Sequence, residues 1–181
     1  MIYREQPDRN GNVYRIRDAV PDDAPVIVEI LTQVGQEGIY IANEGLYMSA
    51  EQQAHVVERR NPDVHLILVA ERAAHVVGTL EMVRGVFQKN RHTANFGMAL
   101  VPLARGLGIG EGLLLAAHEW ARAMGIQKIG LSVFATNQAA IRLYQRLGYR
   151  EEGRRQNQFL LQGALIDEVL MALYLSATPT T

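Results

Sequence analysis

Residues 104–114 read ARGLGIGEGLL, with glycine at 106, 108, 110 and 112 immediately ahead of an apolar run. Glycine in a helix interior costs about 1 kcal/mol relative to alanine, so its density where a helix must begin needs a cause. The first turn of a helix leaves N–H groups without partners and carries partial positive charge from its aligned peptide dipoles. A strand that runs through an irregular loop into such a terminus makes an anion site. Glycines at alternate positions remove the Cβ atoms that would keep a diphosphate from bare backbone. The amides of Gly106, Leu107, Gly108, Ile109 and Gly110 are therefore candidate phosphate ligands, and Arg105 is a candidate charge-assisted contact. Tight packing of helix on sheet would also call for glycine, and both readings stand. Two nucleotide signatures fail: the dinucleotide fingerprint needs glycine where Leu113 stands, and no Gly-Lys pair offers a Walker loop. The five histidines (55, 65, 75, 92 and 118) lack close ligand spacing, so no metal site is expected, and His118 reads as a helix-surface or boundary residue.

The elements that must position this loop follow from periodicity. VYRIR (13–17) alternates as a strand, and Asp22 and Asp23 open a helix through DDAPVIVEILTQV. Ser49 can cap a second helix in SAEQQAHVVERR, answered by Gln52 or Gln53. HLILVAE (65–71) and HVVGTLEMVR (75–84) predict a hairpin, and TANFGMALV (93–101) a further strand whose Gly97 suggests a bulge or a close approach. A helix over 111–124 ends at Gly125, GLSVFA (130–135) is a strand, and Asn137 caps a helix running to Gly148. RRQNQFLLQ and DEVLMALYL close the chain as a hairpin. This order predicts one α/β domain over 13–175 around a mixed sheet, with flexible segments at 1–12 and 176–181, and a parallel crossover from 93 to 135.

The chain has 181 residues, no cysteine, and 18 basic against 19 acidic residues, for a net charge of −1. That balance offers no field to draw nucleic acid or anionic lipid. The polar amino terminus MIYREQPDRNGN lacks an apolar signal core, and no apolar run approaches the roughly 20 residues of a spanning helix. A cytoplasmic protein with a small-molecule partner, binding neither nucleic acid nor membrane, is expected. The apolar closing hairpin (FLL, VLMALYL) could pair with a second chain as a homodimer.

Two stretches, FGMALVPLARGLGIGEGLL and SVFATNQAAIRLYQRLGY, together resemble the GCN5-related N-acetyltransferases, the GNAT family. The likeness covers about residues 13–175 and implies a mixed, mostly antiparallel central sheet with helices on both faces. It implies acetyl-CoA as cofactor and acetyl transfer to the primary amine of a small molecule or a peptide amino terminus. It also implies that the two strands flanking the loop's helix splay apart, so that the pantetheine arm pairs with backbone near Met98, Leu100 and Val101. Asn137 matches a residue that bonds this arm, besides its capping role, and Tyr144 matches the tyrosine that protonates the departing thiolate.

Such a transfer needs a neutral amine, donors for the developing oxyanion and a proton for the thiolate. The Met98 N–H is the candidate oxyanion donor. Many relatives carry glutamate two residues before the strand glycine, where this chain has Asn95, which cannot take a proton. Glu81, in GTLEMV on the neighbouring strand, is the remaining candidate base. It is equally a paired surface residue if alternation turns it outward, and a water relay from another group is a third route. Between the first two helices, GQEGIYIANEGLYMS pairs Glu37 with Tyr40 and Glu44 with Tyr47, a combination suited to a cationic amine and equally to a solvated loop whose tyrosines cover the core. A non-catalytic acyl-CoA-binding or regulatory module, which kept the cradle and lost the base, is the alternative that Asn95 favours.

Overall fold

The computed structural model describes residues 2–42 and 48–175. Eight strands and four helices follow in the order β1 (Tyr3–Pro7), β2 (Val13–Asp18), α1 (Ala24–Gln36), α2 (Ala50–Arg59), β3 (His65–Arg72), β4 (His75–Arg84), β5 (Thr93–Leu100), α3 (Ile109–Ala123), β6 (Lys128–Phe134), α4 (Gln138–Arg146), β7 (Arg150–Leu161) and β8 (Ala164–Tyr174). One sheet runs β1-β2-β3-β4-β5-β6-β8-β7, and its sole parallel pairing is β5 with β6. Every element predicted from position 13 onward is present, with ends moved by a residue or two except in the closing hairpin, whose strands begin four and three residues earlier than RRQNQFLLQ and DEVLMALYL.

The amino terminus differs from expectation. Residues 3–7, expected to be flexible, pair antiparallel with β2 from Tyr3↔Arg17 to Pro7↔Val13. The turn that joins them is organised by Asp8, whose buried carboxylate accepts from the amides of Asn10 (2.8 Å) and Asn12 (3.0 Å) and from Arg72 Nε (2.7 Å). The tail from 176 onward, together with Glu44 and Tyr47, lies outside the described residues.

Alternation along the strands divides the core. Leu66, Leu68, Leu80, Met82 and Ala94 pack with Leu113, Leu114 and Ala117 of α3. The opposite parity places Ile67, Val69 and Ala99 against Ile27, Ile30 and Val34 of α1 and Val57 of α2. Ser49 forms the predicted capping box, its Oγ accepting from the Gln52 amide (3.1 Å) while Gln52 accepts from the Ser49 amide (2.9 Å). His118, expected near the surface, is only 3% exposed. Its Nε2 meets the Tyr149 hydroxyl at 2.8 Å, and burial lowers its pKa to about 4, so it is a neutral core residue at physiological pH.

Candidate active site

The chain leaves β5 at Leu100, makes one turn of 3-10 helix over Pro102–Ala104, and enters α3 through the glycine loop. Gly106 and Gly108 adopt φ of 76° and 87°, a left-handed conformation that costs a residue with a Cβ about 1–2 kcal/mol. Among the described residues no backbone or side-chain acceptor takes the amides of Gly106, Leu107, Gly108, Ile109 or Gly110. A Cβ built on Gly106 would meet nothing within 4 Å. Gly106, Gly108 and Gly110 line a cavity of about 550 Å³ between β5 and α4; Leu107 and Ile109 do not, and the side chain of Ile109 is buried in the core. Gly112 answers to the other reading: a Cβ there would collide with Gln6 and Tyr14, so its absence lets β1 and β2 close on α3. Gly106 and Gly108 leave the loop open, whereas Gly110, where a Cβ would press to 3.3 Å from Met98 Cε, shares the packing role of Gly112.

The cavity continues where β5 and β6 separate. They pair only from Thr93↔Lys128 to Asn95↔Gly130, so the backbone of β5 beyond Asn95 has no partner on that side. Along β5, successive residues direct their N–H and C=O groups alternately to either side. The Val101 amide donates to Val77 O (3.0 Å) and its carbonyl accepts from Ala104 (3.0 Å), which fixes odd-numbered residues toward β4. Met98 and Leu100 therefore face the gap, and the expectation that Val101 also pairs with a ligand is corrected: both of its backbone groups are used. The Leu100 carbonyl accepts from Arg105 Nε (3.0 Å), which leaves its amide and both Met98 groups for a ligand. Gly97 does not mark a bulge, since β4–β5 pairing runs without a register shift from Gly78↔Leu100 to Arg84↔Ala94. A ligand with an anionic diphosphate and a hydrogen-bonding arm fits this combination of unpaired amides and open strand edge.

Tyr144 stands on the opposite wall. It is 8% exposed, its ring packed edge-on to Phe96 (centroids 5.8 Å apart) and tilted against Tyr149 (5.7 Å). No described residue bonds its hydroxyl, yet no buried side-chain polar atom is left unpaired, so the hydroxyl reaches the cavity that Tyr144 lines. Burial pushes its pKa up to about 12, so the phenol keeps its proton at neutral pH. Asn137 lines the same cavity and caps α4, its Oδ1 accepting from the Ala140 amide (3.2 Å).

Packing decides which way Glu81 faces. Leu80 and Met82 are fully buried toward α3, so Glu81 projects from the other face, opposite Gly97 on β5 and Ile67 on β3. There it lines a second cavity of about 240 Å³, which shares Ile41, Gly97, Met98 and Ala99 with the first. His65 meets Glu81 Oε1 at 2.5 Å through Nε2, a partner that the sequence did not suggest. Asn95 lines neither cavity; it sits over Gly130 in a separate depression with Lys128 and Glu152.

Three other expected site residues meet each other. Arg105 places its guanidinium on Glu37 in a two-pronged pair (2.7 and 2.5 Å), and the same group lies 4.5 Å above the Tyr40 ring. Arg105 thus engages its charge with the end of α1 while still lining the large cavity. Glu37 is likewise neutralised, where the sequence suggested a carboxylate waiting for an amine. Three arginines that the sequence reading passed over, Arg9, Arg142 and Arg146, line the large cavity. Arg9 had no local signal because it reaches the loop only through the unexpected β1–β2 hairpin. Among the described residues no group of histidines or carboxylates could hold a metal, and no helix is long and apolar enough to cross a membrane.

An open strand edge, a loop of unpaired amides and a buried tyrosine share one cavity, an arrangement that suits an enzyme taking an acyl group from a nucleotide-linked thioester. Residues 35–149 match the model of the acetyltransferase (GNAT) family, and the chain belongs to that family of enzymes, whose cosubstrate is acetyl-CoA. An L-methionine sulfoximine/L-methionine sulfone acetyltransferase of Pseudomonas paraeruginosa is 29% identical over 90% of this chain and 95% of its own length. The ribosomal-protein-alanine N-acetyltransferase of Brucella melitensis is 30% identical and superimposes with a TM-score of 0.79, covering 88% of this chain and 99% of that one. The yncA protein of Salmonella typhimurium, solved with its cofactor acetyl-CoA, is 24% identical with a TM-score of 0.83, over 92% of this chain and 96% of its own.

Proposed function

We propose that the protein transfers the acetyl group of acetyl-CoA to the primary amine of a small molecule bearing an α-amino group, by direct attack at one site. Acetyl-CoA supplies an activated acyl carbon and a thiolate that leaves readily. The observation that carries the proposal is the meeting of two cavities at Gly97 and Met98, one reaching the glycine loop and Tyr144, the other Glu81.

The amides from Gly106 to Gly110 bind the diphosphate, and the Met98 and Leu100 backbone orients the arm along the β5 edge. An alkylamine is mostly protonated at neutral pH, with pKa about 10 by analogy with lysine. Glu81 accepts a proton from the incoming ammonium, directly or through a water, with His65 holding its carboxylate in place. The Met98 N–H stabilises the charge that develops on the acetyl oxygen. Tyr144 donates a hydrogen bond to the sulfur as the C–S bond breaks, and the second proton lost from the nitrogen leaves through water, so that the products are the amide and the thiolate or thiol.

Two relatives are named for acceptors that share an α-amino group, one a free amino acid and the other the end of a protein chain. The second cavity, at about 240 Å³ and lined largely by apolar residues, favours the small molecule. Thiol release with acetyl-CoA and a panel containing methionine sulfoximine, methionine sulfone, simple alkylamines and alanine-initiated peptides tests this. Turnover is expected with small α-amines. Turnover with peptides alone moves the acceptor to protein termini, and binding without turnover across the panel favours a non-catalytic acyl-CoA module.

A further inference from the structure

The loop that would bind the diphosphate carries one arginine of its own, and Glu37 holds it. A second positive charge is brought onto the loop by the β1–β2 hairpin, which precedes the family-matched residues 35–149. We propose that this hairpin completes the phosphate-binding site, with Arg9 as a direct ligand of the phosphates of coenzyme A; the inference rests on the coenzyme binding at this loop.

Arg9 is positioned by both its backbone and its side chain. Its N–H donates to Leu107 O (3.0 Å) and its Nη1 to Gly106 O (3.2 Å), so the turn is stitched to the loop itself. Its side chain passes over Gly108, where a built Cβ would lie 3.7 Å from Arg9 Cγ. Asp8 fixes the turn beneath it through two amides and Arg72. The guanidinium lines the large cavity beside Gly106, Gly108 and Gly110. Among the described residues its one ion-pair partner is Glu111 at 3.9 Å, and that carboxylate stands at the same distance from Arg146. Arg9 is 59% exposed, so the pair with Glu111 is loose and screened, and a phosphate with two or more oxygens in reach is the stronger partner. A planar fork that already donates one N–H to the loop carbonyl keeps its other N–H groups for the anion lying on the same loop.

Titration calorimetry with coenzyme A, 3′-dephospho-coenzyme A and pantetheine, the last by competition, tests the assignment on the full chain. Arg9→Ala is expected to weaken both nucleotides about tenfold, the worth of one charge-assisted hydrogen bond at an open site, and to leave pantetheine unchanged. Arg9→Gln keeps a donor for Gly106 O without the charge and should lose the same factor. Weakening of coenzyme A alone supports a phosphate ligand and places the contact at the 3′-phosphate. Unaltered affinities, equal loss for all three ligands, or full recovery in Arg9→Gln would overturn the proposal, since Arg9 would then merely prop the loop or do nothing. A parent protein that binds no coenzyme A at all would instead remove the proposed function.

Discussion

Replacing Tyr144 with phenylalanine isolates one hydroxyl. The ring sits against Phe96 and Tyr149, and phenylalanine preserves those contacts. No described residue bonds the hydroxyl, so its loss strands no partner, and folding stability should move by no more than about 0.5 kcal/mol. The effect on turnover follows from two pKa values. Burial holds Tyr144 at about 12, and a free thiol lies near 8.5. Full proton transfer from this phenol to the thiolate is therefore uphill by roughly 3.5 units, close to 5 kcal/mol. The phenol acts mainly by hydrogen bonding to the sulfur as negative charge gathers there, worth about 1.5–3 kcal/mol for a charged acceptor. Tyr144→Phe should lower kcat by about 10- to 150-fold, with KM for acetyl-CoA unchanged, in steady-state thiol release with a saturating amine. A phenol at about 12 is also protonated throughout the usual assay range, so in the parent no alkaline loss of rate up to about pH 10 should trace to this group. A variant that turns over at the parent rate, or that changes only KM, refutes the assigned role.

Glu81→Gln removes the candidate base while keeping an acceptor for His65; kcat/KM should fall about 100-fold near neutrality. The deficit should narrow as pH rises toward the amine's own pKa, and a constant deficit would point to a structural effect. Gly106→Val places a branched side chain where a Cβ now meets nothing and strains a left-handed residue by about 1–2 kcal/mol. Calorimetry should show no binding of acetyl-CoA to a chain that remains folded by circular dichroism, and parent-like affinity would contradict the cradle. His118 titrates near 4 in the folded chain against 6.5 when exposed, so the unfolded chain takes up a proton that the native chain refuses. Its contribution is fully present above about pH 6.5 and is lost as pH falls toward 4, amounting to about 2 kcal/mol between pH 6.5 and 5. His118→Gln should flatten that part of the pH profile in urea unfolding, and an unchanged slope would assign it to other groups.

The features legible in the sequence were those whose cause is local. Gly106 and Gly108 declare a left-handed loop, Ser49 and Gln52 a helix start, and Asn137 a cap, because each acts within a few residues of itself. Strand β1 escaped because YREQP is polar, carries proline, and is held by pairing to β2 and by Asp8 rather than by an apolar face. The β3–β4 turn uses Ala73 and Ala74 at φ of 51° and 63°, positions where glycine or asparagine would have signalled it. The diversion of Arg105 depends on Glu37, far away in sequence at the end of α1. Glu81 could be assigned a face only once Leu80 and Met82 were seen to fill the side toward α3. Side-chain partners across such separations carry no periodic trace, and they decide which cationic and acidic groups remain for a ligand.

The most direct test is a crystal structure of the protein with acetyl-CoA. The diphosphate oxygens should lie about 3 Å from amides between Gly106 and Gly110, with the arm along the Met98–Leu100 edge and the thioester sulfur beside the Tyr144 hydroxyl. A diphosphate bound away from the loop, with those amides turned onto the protein's own carbonyls, would contradict the account.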